Sequence, residues 1–242
     1  MTQHDSNLVA LMLPGFGCDL DSMLELVSAL ESCRSIRHTQ CEVLSSEGSL
    51  DEMVSKLVDH YSHSELVLIG FSMGGWIAQE LASRLGSAVK GIVLISSWTE
   101  APSRYLDVIQ RLNRDLRSGT ALDSLREVVA EGFSCKQTRD ALADRWLTMA
   151  RRVGSDTFVR QTTAILEHPN VGHSLSEIHC PTLAIAGVLD TLLSPHDQFK
   201  CFYNRANFQT ITLESCGHNL IWEEPSMVSR LVTQWLRSNV ES

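Results

Sequence analysis

No stretch of this 242-residue chain approaches the roughly 20 consecutive apolar residues that a membrane-crossing helix needs. It opens without the cationic, apolar leader of an exported protein. Its seven cysteines, at positions 18, 33, 41, 135, 180, 201 and 216, are odd in number and contain no Cys-x-x-Cys pair. Together these absences predict reduced thiols in a cytoplasmic protein rather than a disulfide framework. Positive charge is also short. Lys and Arg number 20 against 29 Asp and Glu, a net charge of -9, which argues against a nucleic-acid partner. Internal repeats and low-complexity tracts are missing too. What remains is 43% hydrophobic and 20% charged, which suits one large α/β domain or a core with an inserted subdomain.

The most informative stretch runs from Ser64 to Ala82. Leu66 to Ile69 form a short apolar run suited to a strand buried on both faces of a parallel sheet. Gly70-Phe71-Ser72-Met73-Gly74-Gly75 follows, and then Ile77, Leu81 and Leu85 recur at helical spacing. A serine between glycines at a strand-to-helix corner is what a G-x-S-x-G nucleophile turn requires. The glycines let two backbones pass closely while the hydroxyl stays exposed on a strained residue. The letters alone are weak, and a glycine-rich turn with a surface serine is the plainer reading. The strand before and the helix after favour the nucleophile.

Other elements follow the same rhythm. Leu8–Leu13 is a first strand running into Pro14-Gly15-Phe16-Gly17-Cys18-Asp19. This loop is either a tight turn before a helix capped by Asp19 or Asp21, or one side of an oxyanion site in which the Phe16 N–H joins that of Met73. A helix is expected over 21–30, a strand near Cys41 to Leu44, and a helix opened by the Ser49–Glu52 capping box and ending near Tyr61. Gly91–Ile95 is another buried strand. Alternating strands and helices at these spacings predict a doubly wound, mostly parallel sheet with chemistry at the carboxyl ends of its strands.

From Trp98 to Cys180 the strand rhythm stops. Helices are expected over 102–117, 121–130, 137–152 and 156–167, the first with Tyr105, Ile109, Leu112 and Leu116 on one stripe. This span holds eleven basic and eleven acidic residues. Arg104, Arg111 and Arg114 point away from the stripe. They form either a solvated face or a dock for an anionic substrate group or an acidic carrier protein. Strands resume at Thr182–Ala186 and Gln209–Leu213, and a helix over 225–238 closes the chain.

A serine hydroxyl needs a base, and the base needs a partner that fixes its tautomer. Of nine histidines, His218 alone follows a C-terminal strand and a glycine at the catalytic edge. Asp190 follows the preceding strand in the same way, with Asp197 as the runner-up acid. The order Ser72, Asp190, His218 is that of the sheet architecture in question.

On these residues the chain resembles the α/β-hydrolase superfamily. It is similar to the small bacterial esterases around pimeloyl-acyl-carrier-protein methyl esterase and 3-oxoadipate enol-lactonase. Pro14–Asp19 stands for the family's H-G-x-G loop, Gly70–Gly75 for the nucleophile turn, Ala186–Asp190 for the acid and Ser215–His218 for the base. Pro14 stands where the family usually has His, which alters how the Phe16 N–H is held, and the family's N-terminal β-hairpin has no counterpart. The resemblance implies an α/β-hydrolase fold with a core of residues 1–97 and 181–242 and a helical cap of residues 98–180. It implies a serine hydrolase of a carboxylic ester or thioester with neither metal nor organic cofactor. Trp98, Arg104 and Arg111, at the start and on the first helix of the inserted span, are candidate substrate contacts. Lactone opening or carbon–carbon bond hydrolysis on the same three residues is the alternative, and a non-catalytic binding module is a further one.

Overall fold

The computed structural model describes residues 8–33, 36–42, 49–119, 121–171 and 175–240. In chain order its strands and α-helices are β1 (Leu8–Leu13), α1 (Leu24–Leu30), β2 (Ile36–Cys41), α2 (Leu50–Tyr61), β3 (Glu65–Phe71), α3 (Met73–Leu85), β4 (Val89–Ile95), α4 (Ser103–Ser118), α5 (Ala121–Glu131), α6 (Lys136–Val153), α7 (Ser155–Glu167), β5 (Thr182–Gly187), α8 (Pro195–Phe199), β6 (Phe208–Leu213), α9 (Leu220–Glu223) and α10 (Pro225–Asn239). The six strands form one sheet in the order β2-β1-β3-β4-β5-β6, with every neighbouring pair parallel.

Apolar side chains leave each central strand on alternate faces and feed two cores. Ala10, Met12, Val67, Ile69, Val93, Ile95, Leu183 and Ile185 face α1 and α10. Leu11, Leu13, Leu66, Leu68, Ile92, Leu94 and Ala184 face α2 and α3. That explains the unbroken apolar runs, because a strand covered on both sides needs no polar face. The Ser49–Glu52 capping box opens α2 as expected, each side chain bonding the other's backbone N–H.

The second strand departs from expectation. It lies at Ile36–Cys41, not near Cys41 to Leu44; residues 43 and 44 fall outside the described segments. The reason is its place at the sheet edge, paired to β1 alone, where only Ile36 is buried. An edge strand needs no apolar run, so Arg37, His38, Thr39 and Gln40 serve it.

Between β4 and β5 stand four helices, α4 to α7. The stripe of α4 divides its contacts: Tyr105 and Ile109 join one core, and Leu112 and Leu116 the other. All seven cysteines are free thiols. Among the described residues, no helix is long and apolar enough to cross a membrane.

Candidate active site

Ser72 sits between the last residue of β3 and the first of α3, with φ 50° and ψ -117°. A positive φ at a residue with a Cβ costs on the order of 1–3 kcal/mol and survives only where the surroundings over-determine it. They do so here. The Ser72 N–H donates to the Ile95 carbonyl at 2.8 Å, and its own carbonyl accepts from Ser97 Oγ at 2.8 Å. The flanking glycines are demanded by packing. A Cβ on Gly74 would stand 1.8 Å from the Leu13 carbonyl oxygen, and one on Gly70 would stand 2.4 Å from Gly74 O. The Ser72 turn is thus pressed against the end of β1.

At the carboxyl edge of the same sheet, three residues drawn from three loops meet. His218 Nε2 lies 2.9 Å from Ser72 Oγ, and His218 Nδ1 lies 2.8 Å from Asp190 Oδ2. A carboxylate only accepts, so Nδ1 carries the proton and Nε2 presents its lone pair to the serine O–H. Four donors converge on the Asp190 carboxylate: the Leu192 and Leu193 N–H groups on Oδ1, and Gln198 Nε2 and His218 Nδ1 on Oδ2. All three residues are buried. The loop of His218 is fixed in turn by Glu223, whose Oε2 accepts from the Gly217 N–H at 2.6 Å.

Among the other histidines, His38, His60, His63, His168, His179 and His196 are exposed, and His4 and His173 lie outside the described residues. Asp197 does not reach His218. It caps α8 with Ser194 and faces Arg104 at 3.8 Å.

A cavity of about 50 Å³ opens on Ser72 and His218, bordered by Phe16, Tyr105, Val129 and Trp146 among others. Cys18 borders it as well, but burial pushes its thiol up to about 12, so it stays protonated and inert. Burial and the Asp190 charge also raise the Tyr105 phenol, keeping it a neutral donor. Phe16 borders this cavity, and Met73 opens α3, where a helix leaves its first N–H groups without intrahelical acceptors. No acceptor among the described residues takes the N–H of Phe16 or Met73.

Trp98, Arg104 and Arg111 are not brought to this cavity. Trp98 is fully buried, stacked on Trp76 at 5.9 Å, and bonds the Pro169 carbonyl. Arg104 is half exposed beside Asp197, and Arg111 is on the surface. The apolar stripe of α4 points inward, so its arginines must point out. Conversely, Gln198, Ser97, Glu223 and Tyr105 support or line the site with no motif to mark them. Tyr105 alone left a trace, as a polar-tipped member of an apolar stripe.

Comparison with known proteins agrees with this architecture. Over 181 residues the chain is 29% identical to the 2-hydroxy-6-oxononadienedioate/2-hydroxy-6-oxononatrienedioate hydrolase of Burkholderia vietnamiensis, a match covering 70% of this chain and 62% of that protein. The chain therefore spans a little over six-tenths of the length of that relative. It is 25% identical over 255 residues to monoacylglycerol lipase ABHD6 of Homo sapiens, covering 94% and 75% of the two. The enol-lactonase from Burkholderia xenovorans shares the fold, with a TM-score of 0.77 at 16% identity over 98% of this chain and 94% of that one. The family model described as alpha/beta hydrolase fold matches residues 27–225, which is most of the chain, and with the parallel sheet and the serine turn already described it follows that the protein belongs to the α/β hydrolase fold family.

Proposed function

We propose that the protein is a serine hydrolase of carboxylic esters or thioesters. Ser72 attacks the acyl carbon while His218 Nε2 takes its proton. Asp190 steadies the imidazolium, and the Phe16 and Met73 N–H groups receive the oxyanion. His218 then protonates the leaving alcohol or thiol. Water activated by the same imidazole cleaves the acyl-enzyme and restores the Ser72 hydroxyl. The observation carrying this reading is the pair of hydrogen bonds at 2.9 and 2.8 Å that joins hydroxyl, imidazole and carboxylate in one line.

The cavity supports an uncharged acyl group. Among the described residues no Arg or Lys borders it, and its wall is mostly aromatic and aliphatic. A second cavity of about 420 Å³ lies among α4 to α7, walled by Leu116, Leu125, Leu147, Ala150 and Phe158, with the exposed Arg151 also bordering it. We read these four helices, within residues 98–180, as a cap over a core of residues 1–97 and 181–242, with the apolar space among the helices taking the acyl chain. About 50 Å³ at Ser72 holds a water or two, so the cap must shift to admit substrate.

The second reading is carbon–carbon bond hydrolysis. It is favoured by the similarity to a hydrolase whose named substrate, a hydroxy-oxo-dienedioate, contains no ester. That substrate has two carboxylates, and the Ser72 cavity offers them no cation. An acyl group delivered on an acidic carrier protein is the version of the ester reading that Arg111 and Arg114 suit. A cytoplasmic setting fits the seven free thiols.

The test is a substrate panel of neutral p-nitrophenyl esters of increasing chain length, a carboxylate-terminated ester, a lactone, a β-diketone and a carrier-bound thioester, alongside fluorophosphonate labelling. Neutral esters should turn over best. Ser72→Ala should lose both labelling and at least about 10⁴-fold in kcat, as removal of such a nucleophile does elsewhere. Full activity in Ser72→Ala would remove the serine from the chemistry. A panel in which only the β-diketone reacts would install the second reading.

A further inference from the structure

Pro14 has neither an N–H nor a polar side chain, so it cannot hold the loop that follows β1. Something else must fix the Phe16 amide, and the structure shows what touches this loop. Gln161, fully buried on α7, accepts the Gly17 N–H on Oε1 at 2.9 Å, across 144 residues of sequence. Gly17 has φ +64°, so the chain turns sharply just after Phe16. The Cys18 N–H closes the turn onto the Gly15 carbonyl at 3.1 Å. One helical turn before Gln161, Phe158 meets the Phe16 ring edge-on at 4.9 Å and lies so close to Gly17 that any Cβ there would strike it. On the outer side, Arg152 of α6 pairs with Asp19 and Asp21.

We propose that Gln161 is the positioning residue of the oxyanion loop, a side chain of the intervening helices that sets the direction of the Phe16 N–H through its bond to Gly17. The proposal rests on the ester-hydrolase reading, in which that N–H receives the oxyanion. It adds that the donor is assembled only while α7 is seated on the loop. Two arguments favour the glutamine over general packing. A buried backbone N–H demands an acceptor, and Gln161 Oε1 is the one it has. The bond is also to the residue adjacent to Phe16. A turn that rotated at Gly17 would swing the Phe16 peptide off the developing charge.

The experiment compares Gln161→Met, which keeps length and removes the acceptor, with Gln161→Glu, which keeps an acceptor oxygen. Each is assayed on p-nitrophenyl acetate with active sites counted by fluorophosphonate titration. Gln161→Met should lower kcat per titrated site by about 10- to 100-fold with KM within about twofold, less than the 10²–10³ lost with an oxyanion donor itself. It should weaken binding of a trifluoromethyl ketone, which forms the tetrahedral adduct, by the same factor. Gln161→Glu should restore kcat to within several-fold of the parent. Unchanged kcat per site in Gln161→Met, or a loss confined to thermal stability or KM, would overturn the proposal. Should Gln161→Met not fold, Gln161→Asn, whose shorter arm cannot reach Gly17, is read by the same criteria. The ester-hydrolase reading is judged separately by Ser72→Ala, so an active Gln161→Met beside an inactive Ser72→Ala defeats this inference alone.

Discussion

At Ser72 the backbone carries strain that the neighbours hold in place, and the neighbour with least freedom is Gly74. Its Cα faces the Leu13 carbonyl so closely that an added methyl group would lie 1.8 Å from that oxygen, and backbone atoms cannot step aside as a flexible side chain can. Gly74→Ala must therefore push α3 away from β1, two elements whose side chains share one core. Overpacking of this kind costs about 1–3 kcal/mol even against adaptable side chains, and more against fixed backbone. We expect a loss of about 3 kcal/mol or more in urea unfolding, together with loss of fluorophosphonate labelling. A variant with the parent's midpoint would mean that the turn and β1 are not in contact. The requirement for glycine on either side of Ser72 was legible in the sequence, since the motif encodes close approach. The identity of the atom it protects, Leu13 O, was not, because that contact depends on how β1 and β3 register.

Between elements, the site is tied together by side chains from loops and short helices. Glu223 on α9 is one such tie. Its Oε2 accepts from the Gly217 N–H at 2.6 Å, and its Oε1 accepts from the Ser134 N–H at 2.6 Å and from the Ser134 hydroxyl, so one carboxylate joins the His218 loop to the turn between α5 and α6. The Asn219 N–H reinforces the joint on the Gly132 carbonyl at 2.8 Å. Glu223→Ala strands two part-buried N–H groups, each worth on the order of 1 kcal/mol or more when unpaired. We expect destabilisation of about 2 kcal/mol and a fall in kcat larger than any change in KM, measured by urea titration and ester kinetics. An unaltered kcat would show that His218 is held by its own hydrogen bonds. Such ties mark the limit of sequence reading. Helices α4 to α7 were legible because one-sided burial imposes a period on their apolar residues, and strands β1, β3, β4 and β5 because burial on both faces leaves an unbroken apolar run. Edge strand β2 was not, because with Ile36 alone buried it has neither run nor period. Ser72, Asp190 and His218 could be placed because strand ends converge in a parallel sheet. Gln161, Gln198 and Glu223 could not, since a single polar side chain that bonds a loop, near or far in sequence, leaves no periodic pattern or motif. Arg104 and Arg111 were drawn to the site by their charge, and the inward stripe of α4 turns them to solvent, whereas Trp98 precedes α4 and is buried against Trp76.

For the molecule as a whole, the decisive fact is that the intervening helices have no core of their own. Leu112, Leu116, Leu125, Trp146, Leu147 and Phe158 belong to the same apolar cluster as Met12, Ile69 and Ile185 of the sheet. Tyr105, Ile109, Ala164 and Ile165 belong to the cluster on the other face. Hydrogen bonds from Gly17 to Gln161 and from Asn219 to Gly132, with the Arg152 pairs to Asp19 and Asp21, stitch the same boundary. The exposed ion pairs add little, so the shared apolar area is what binds the two parts. Two parts that share one core unfold together, because neither keeps its buried surface when the other leaves. Thermal or urea unfolding should therefore be a single transition, with far-UV circular dichroism, tryptophan fluorescence and loss of fluorophosphonate labelling coinciding. Replacing residues 98–180 by a short linker should give a chain that does not fold cooperatively. An early transition in which labelling disappears while most circular dichroism remains would show instead that the helices melt off an intact sheet. In that case the opening that admits substrate would be a local unfolding of the cap, not a small movement of a seated one.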